Sequence, residues 1–107
     1  MNERIKNLIF FWKASQNFYI SADALVAKGP GFLYTIKMVV NSTDVGTSVV
    51  YDGYGTVGKK LFDLGAVKSS EVKNDYNPPL YFEQGLYIDV GSNITSISGQ
   101  FVLTGER

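Results

Sequence analysis

The sequence predicts an all-β fold: an antiparallel β-sandwich, jelly-roll-like, with an N-terminal arm. Three observations predict it. Apolar and polar residues alternate at period two along several short stretches. Clusters of Gly, Asn, Asp and Ser interrupt these stretches at the spacing of roughly 8–12 residues typical of sandwiches. Helix-forming runs of Ala, Leu, Glu and Lys are missing. With 107 residues, 45% of them hydrophobic, the chain can fill one core without disulfides. Residues 1–28 read as an arm or additional strands, and 29–107 as the sandwich core of a single domain.

Along the arm, Ile5 to Trp12 (IKNLIFFW) fits a strand, or a short helix with Ile5, Leu8, Ile9 and Trp12 on one stripe. Phe18 to Ala27 alternates Phe18, Ile20, Ala22, Ala24 and Val26 against Tyr19, Ser21, Asp23 and Leu25. Two strands are the preferred reading, and Gly29-Pro30-Gly31 sets them apart from the rest.

From Phe32 to Val40, period two places Phe32, Tyr34, Ile36, Met38 and Val40 on one face, with Leu33, Thr35, Lys37 and Val39 on the other. Asn41 to Asp44 supplies turn chemistry, and a strand follows over roughly Thr47 to Tyr51. Asp52-Gly53-Tyr54-Gly55 reads as a loop. Lys59 to Leu64 reads as a short strand with Leu61 and Phe62 on opposite faces.

Gly65 to Pro79 is polar, holds Pro78-Pro79, and reads as a long surface connection with room for a short strand at Val67 to Val72. Leu80 to Glu83 and Gly85 to Val90 form two strands, or one strand bent at Gln84-Gly85; a glycine there suggests a bulge or a crossing between sheets. Gly91-Ser92-Asn93 turns the chain into a last strand, Ile94 to Leu103, whose inward face the pattern leaves open. Phe82, Leu86, Ile36 and Val49 are the expected core. Gly85→Val is expected to destabilise by more than about 1 kcal/mol, through lost backbone freedom at a bend.

Composition narrows function by exclusion. Cysteine and histidine are both absent, which removes thiol chemistry, Cys/His metal sites and the Ser-His and Cys-His nucleophile pairs. Ten basic residues balance ten acidic ones, against the basic surplus of a nucleic-acid binder. The longest apolar run, Leu8 to Trp12, falls short of a membrane span or a signal peptide. No enzyme, cofactor, metal, nucleic acid or membrane is expected.

The candidate constellations have ordinary explanations. Asp52, Asp63, Glu83 and Asp89 are the carboxylates a glycosidase would need, yet no spacing pairs them. Asp52-Gly53-Tyr54-Gly55 lacks the spaced acids of a calcium loop. Gly53, Gly55 and Gly58 match G-x-G-x-x-G, but a strand follows where a dinucleotide site needs a helix. Asn41-Ser42-Thr43 and Asn93-Ile94-Thr95 satisfy the glycosylation rule and are better read as turns. Aromatics carry more information, since Tyr and Trp favour interfaces and sugar-binding surfaces. Phe10, Phe11, Trp12, Tyr54, Tyr76 and Tyr81 are the candidate interface residues.

From Gly29 onward the order of signals resembles small β-sandwich virion proteins of tailed bacteriophages, of the capsid-decoration or head-fibre type. The resemblance lies in Gly31 to Val40, Thr47 to Gly53, Gly58-Lys59-Lys60-Leu61, and Leu80 to Val90 ahead of the Ile94-Thr95 strand. It covers about 70 residues, leaves out the first 28 and includes no catalytic signature. It implies a structural, cofactor-free subunit, made in the host bacterial cytoplasm and incorporated into the virion. Its partners would be copies of itself, a trimer above all, and the major capsid protein or other virion proteins. The alternative from the residues is a carbohydrate-binding sandwich using Trp12, Tyr54, Tyr76 and Tyr81.

Overall fold

The computed structural model describes residues 15–104. The expectations placed on Ile5 to Trp12 lie outside the described residues. The regular elements are all strands: β1 (Ser15–Ile20), β2 (Ala24–Lys28), β3 (Gly31–Val40), β4 (Gly46–Asp52), β5 (Lys59–Ala66), β6 (Glu71–Phe82), β7 (Gly85–Val90) and β8 (Ile94–Leu103).

Strand pairing follows one rule. β1 pairs with β8, β2 with β7, β3 with β6 and β4 with β5, all antiparallel. The chain is thus a two-stranded ribbon that runs out through β4 and back from β5. Further pairs, β3 with β8 and β4 with β7, wrap this ribbon into two four-stranded sheets, β1-β8-β3-β6 and β2-β7-β4-β5. That wrapping is a jelly roll. Every connection except the β4–β5 loop passes from one sheet to the other. The arm's second stretch, Phe18 to Ala27, accordingly breaks at Ser21–Asp23, and β1 and β2 become edge strands of different sheets.

Between the sheets Leu33, Ile36, Met38, Val50, Leu64, Phe82, Leu86, Ile88 and Ile97 are fully buried. Each such side chain contributes roughly 1.5–3 kcal/mol of apolar burial. Of the four expected core residues, Phe82, Leu86 and Ile36 are there. Val49 is only half-buried, because alternation along β4 turns Ser48 and Val50 inward instead.

β3 corrects the simple two-face reading. Its register slips at Tyr34: Leu33 pairs with Phe101 and Thr35 with Gln100, so Tyr34 is an extra residue on β3. A bulge shifts the alternation by one. Leu33 therefore joins Ile36 and Met38 inside, while Phe32 packs its ring against Tyr81, its partner on β6, at 5.3 Å. A similar slip on β5 leaves Leu61 unpaired between Lys60 and Phe62, and both Leu61 and Phe62 pack against the core.

The expected surface connection up to Pro79 is instead mostly strand. β6 is an edge with β3 as its one partner. Glu71, Lys73 and Asp75 face solvent along it, and Val72, Asn74 and Tyr76 are half-buried. Four residues, Tyr76 to Pro79, stand opposite the single Tyr34, and the Asn77–Pro78 peptide is cis. Prolines are tolerated where a bulged edge strand needs no ladder hydrogen bond.

Candidate interaction surface

One end of the sandwich is built around Asp52, the last residue of β4. Its carboxylate accepts the backbone N–H groups of Glu83 and Gln84, each at 2.8 Å, and of Gly85 at 3.4 Å. These amides lie where the chain crosses from β6 in one sheet to β7 in the other, and Glu83 and Gln84 have left the strand ladder. Burial works to raise the Asp52 pKa, but the three amide donors and the charge of Lys59 outweigh it and hold the carboxyl below its ordinary range. Backbone bonds complete the junction: Gly53 N–H donates to Gly85 C=O at 3.2 Å and Gly29 N–H to Gln84 C=O at 2.8 Å. Three loops are tied together here.

The β4–β5 loop stands out from this junction. Gly58 N–H closes it onto Gly55 C=O at 3.1 Å, and a Cβ on Gly53 would lie 2.9 Å from Gly58 Cα. The G-x-G-x-x-G spacing thus serves a tight loop between two strands. Tyr54 (61% exposed) and Val57 (99% exposed) are its bulky side chains. Tyr81 (49% exposed), one residue before β6 ends, is near the same end.

Of the expected interface residues, Tyr54 and Tyr81 are therefore solvent-facing and share one end. Tyr76 is turned to the seam between the sheets. Its ring meets Phe62 of β5 at 5.5 Å, and its hydroxyl accepts from Asn74 Nδ2 at 3.4 Å. Burial raises its pKa, partly offset by the Asn74 bond. Phe10, Phe11 and Trp12 lie outside the described residues. Sequence reasoning passed over Val57, although a valine flanked by loop glycines has no strand or core to enter.

Of the candidate carboxylates, Asp52 and Asp63 are held in structural contacts. Asp63 pairs with Lys60 at 3.0 Å, and Asp23 accepts the Val90 N–H at 2.7 Å, fixing the β1–β2 corner to the end of β7. Among the described residues, no group of three acids could hold a metal ion. Asn41 and Asn93 are turn residues as expected. Asn41 Oδ1 accepts the Thr43 N–H at 2.8 Å, and Asn93, at φ 68°, donates to Val45 C=O at 3.1 Å.

No protein-family model matches the chain, and no curated protein matches it in sequence. Several solved structures are similar in strand arrangement. One is a chain of Bacillus endospore appendages, a family of disulfide-linked pili (10% identity, 84% of this chain and 88% of that chain covered, TM-score 0.49). Another is from the virus-like particle of the Macrobrachium rosenbergii extra small virus (8% identity, 86% and 80% covered, TM-score 0.41). A third is the Tobacco streak virus coat protein (9% identity, 88% and 89% covered, TM-score 0.37). Similarity at this level carries no functional argument. The fold assignment rests on the strand pairing above.

Proposed function

We propose that this chain is a non-enzymatic structural subunit of a bacteriophage particle, of the capsid-decoration or head-fibre type. It works by binding copies of itself, as a trimer, and a neighbouring virion protein. One observation carries this reading: Val57, with nearly its whole surface in water, sits beside Tyr54 on a loop anchored through Asp52. A loop already held in place loses less freedom when a partner covers its apolar groups, and such preorganisation favours contact surfaces. The Asp52 and Asp23 carboxylates, bound to backbone amides, support a role without bond-making chemistry.

Light scattering coupled to size-exclusion chromatography tests the proposal. A stable oligomer with the mass of a trimer is expected at micromolar concentration. A strict monomer across that range overturns the reading.

A further inference from the structure

The outer face of the β1-β8-β3-β6 sheet carries a second, separate feature. Register aligns its outward residues in rows across the four strands. One row is Asn17, Gln100, Thr35 and Asp75; the next is Tyr19, Ser98, Lys37 and Lys73. Within the second row, Ser98 is too short to fill the space between Tyr19 and Lys37, its neighbours on β1 and β3. A shallow depression of about 330 Å³ results, bordered by Tyr19, Asn17, Gln100, Lys37 and Lys73. Its volume is at the lower end of the roughly 300–1,000 Å³ common for small-ligand sites.

We infer that this depression binds a neutral saccharide unit. Tyr19 is 72% exposed and offers an amphipathic aromatic body at the rim, suited to the C–H face of a sugar ring. Asn17 and Gln100 each bring a planar amide with both donors and an acceptor, and Ser98 and Thr35 bring hydroxyls. A sugar hydroxyl both donates and accepts, so it needs such a mixture.

Charge then selects among saccharides. Lys37 and Lys73 are direct cross-strand partners, an arrangement that by itself favours an anion. Each lysine has an acid alongside, however: Glu71 at 3.3 Å from Lys37 and Asp75 at 3.9 Å from Lys73. Thr35 Oγ1 also donates to Asp75 Oδ1 at 2.8 Å, which orients that carboxylate. The four charges cancel, so the Lys37 and Lys73 ammonium groups border the depression as donors with no net charge behind them. The site lies on a sheet face away from the loop end used for assembly, so its failure would leave the oligomer reading standing.

The test is titration of the isotopically labelled full chain by two-dimensional NMR. The probes are neutral oligosaccharides of glucose, galactose and N-acetylglucosamine at millimolar concentration. With at least one of them the Asn17, Ser98, Gly99 and Gln100 amides are expected to shift together. Tyr19→Ala and, separately, Gln100→Ala are each expected to weaken that binding on the order of tenfold. Both side chains are exposed, and a dispersed spectrum confirms folding of each variant. Raising sodium chloride from about 0.05 M to about 0.5 M should change affinity less than twofold, since no net charge is neutralised. A silent panel, shifts confined elsewhere, or binding unaffected by both substitutions overturns the inference. So does a tenfold loss in salt, which would mark an anion site.

Discussion

Phe18 and Gly99 face each other across β1 and β8, and a Cβ on Gly99 would stand 2.8 Å from the Phe18 ring. It would also run into the Thr35 carbonyl oxygen. The phenyl ring covers the bare glycine and reaches Phe101 at 6.1 Å, which anchors the edge strand β1 to the core. Gly99→Ala is therefore expected to lose about 2 kcal/mol or more, because backbone must move. Urea unfolding with an unchanged m-value and a lower midpoint would register it; an unchanged midpoint would show that β1 and β3 can part at no cost.

Gly85 is held for a similar reason. A Cβ there would lie 2.8 Å from Ala27 O and 2.9 Å from Gly53 O. The cause of the Gly85→Val cost is thus close approach of two neighbouring backbones, in place of the conformational freedom expected from sequence. Even Gly85→Ala should lower stability by more than about 1 kcal/mol, as read by thermal melting. Equal melting of Ala variant and parent would refute the crowding.

Asp52 makes the fold sensitive to acid. Its folded pKa is depressed, so its contribution is fully present above the unfolded value near 4 and lost as pH falls through the folded value. Asp52→Asn presents an amide to three N–H donors and should cost about 1–2 kcal/mol at neutral pH, after allowance for solvent screening. The gap between parent and variant should close as pH drops below about 4. Stability curves that stay parallel from neutral pH to acid would remove the carboxylate's charge from the account.

At the seam, Tyr76 acts chiefly through its ring. Tyr76→Phe should alter stability by less than about 1 kcal/mol, whereas Tyr76→Ala should cost about 2–3 kcal/mol by emptying the space beside Phe62. Comparable losses in both variants would shift the weight onto the Asn74 hydrogen bond.

The loop carries the assembly prediction. Val57→Asp combined with Tyr54→Ser places a charge where a partner would desolvate it, and should dissociate the oligomer while leaving subunit secondary structure intact. Sedimentation velocity would show the smaller species. Unaltered sedimentation would place the contact elsewhere.

Much of this fold was legible in the residues. Period two marked β3, turn residues on either side marked β4 and β7, and Gln84-Gly85 correctly signalled a crossing between sheets. Bulges escaped the pattern, because the extra residue at Tyr34 leaves composition untouched while exchanging Phe32 for Leu33 in the core. β6 escaped for a different reason. An edge strand with one partner can carry Glu71, Lys73, Asp75 and two prolines, which together look like a loop. Of the surface groups, Tyr54 and Tyr81 could be found as aromatics near turns. Tyr19 could not, since its place in the sheet depends on lying in one row with Ser98 and Lys37, which are distant in sequence.

The ribbon arrangement also sets the course of folding. The β4–β5 hairpin closes one short loop, whereas the β1–β8 pair must bring Ser15 to Val102 from opposite ends of the described chain. Loop-closure entropy makes each successive pair cheaper once the one inside it has formed, so the ribbon closes from the middle outward. High contact order of this kind is expected to make folding slow, with the edge strand β1 docking last.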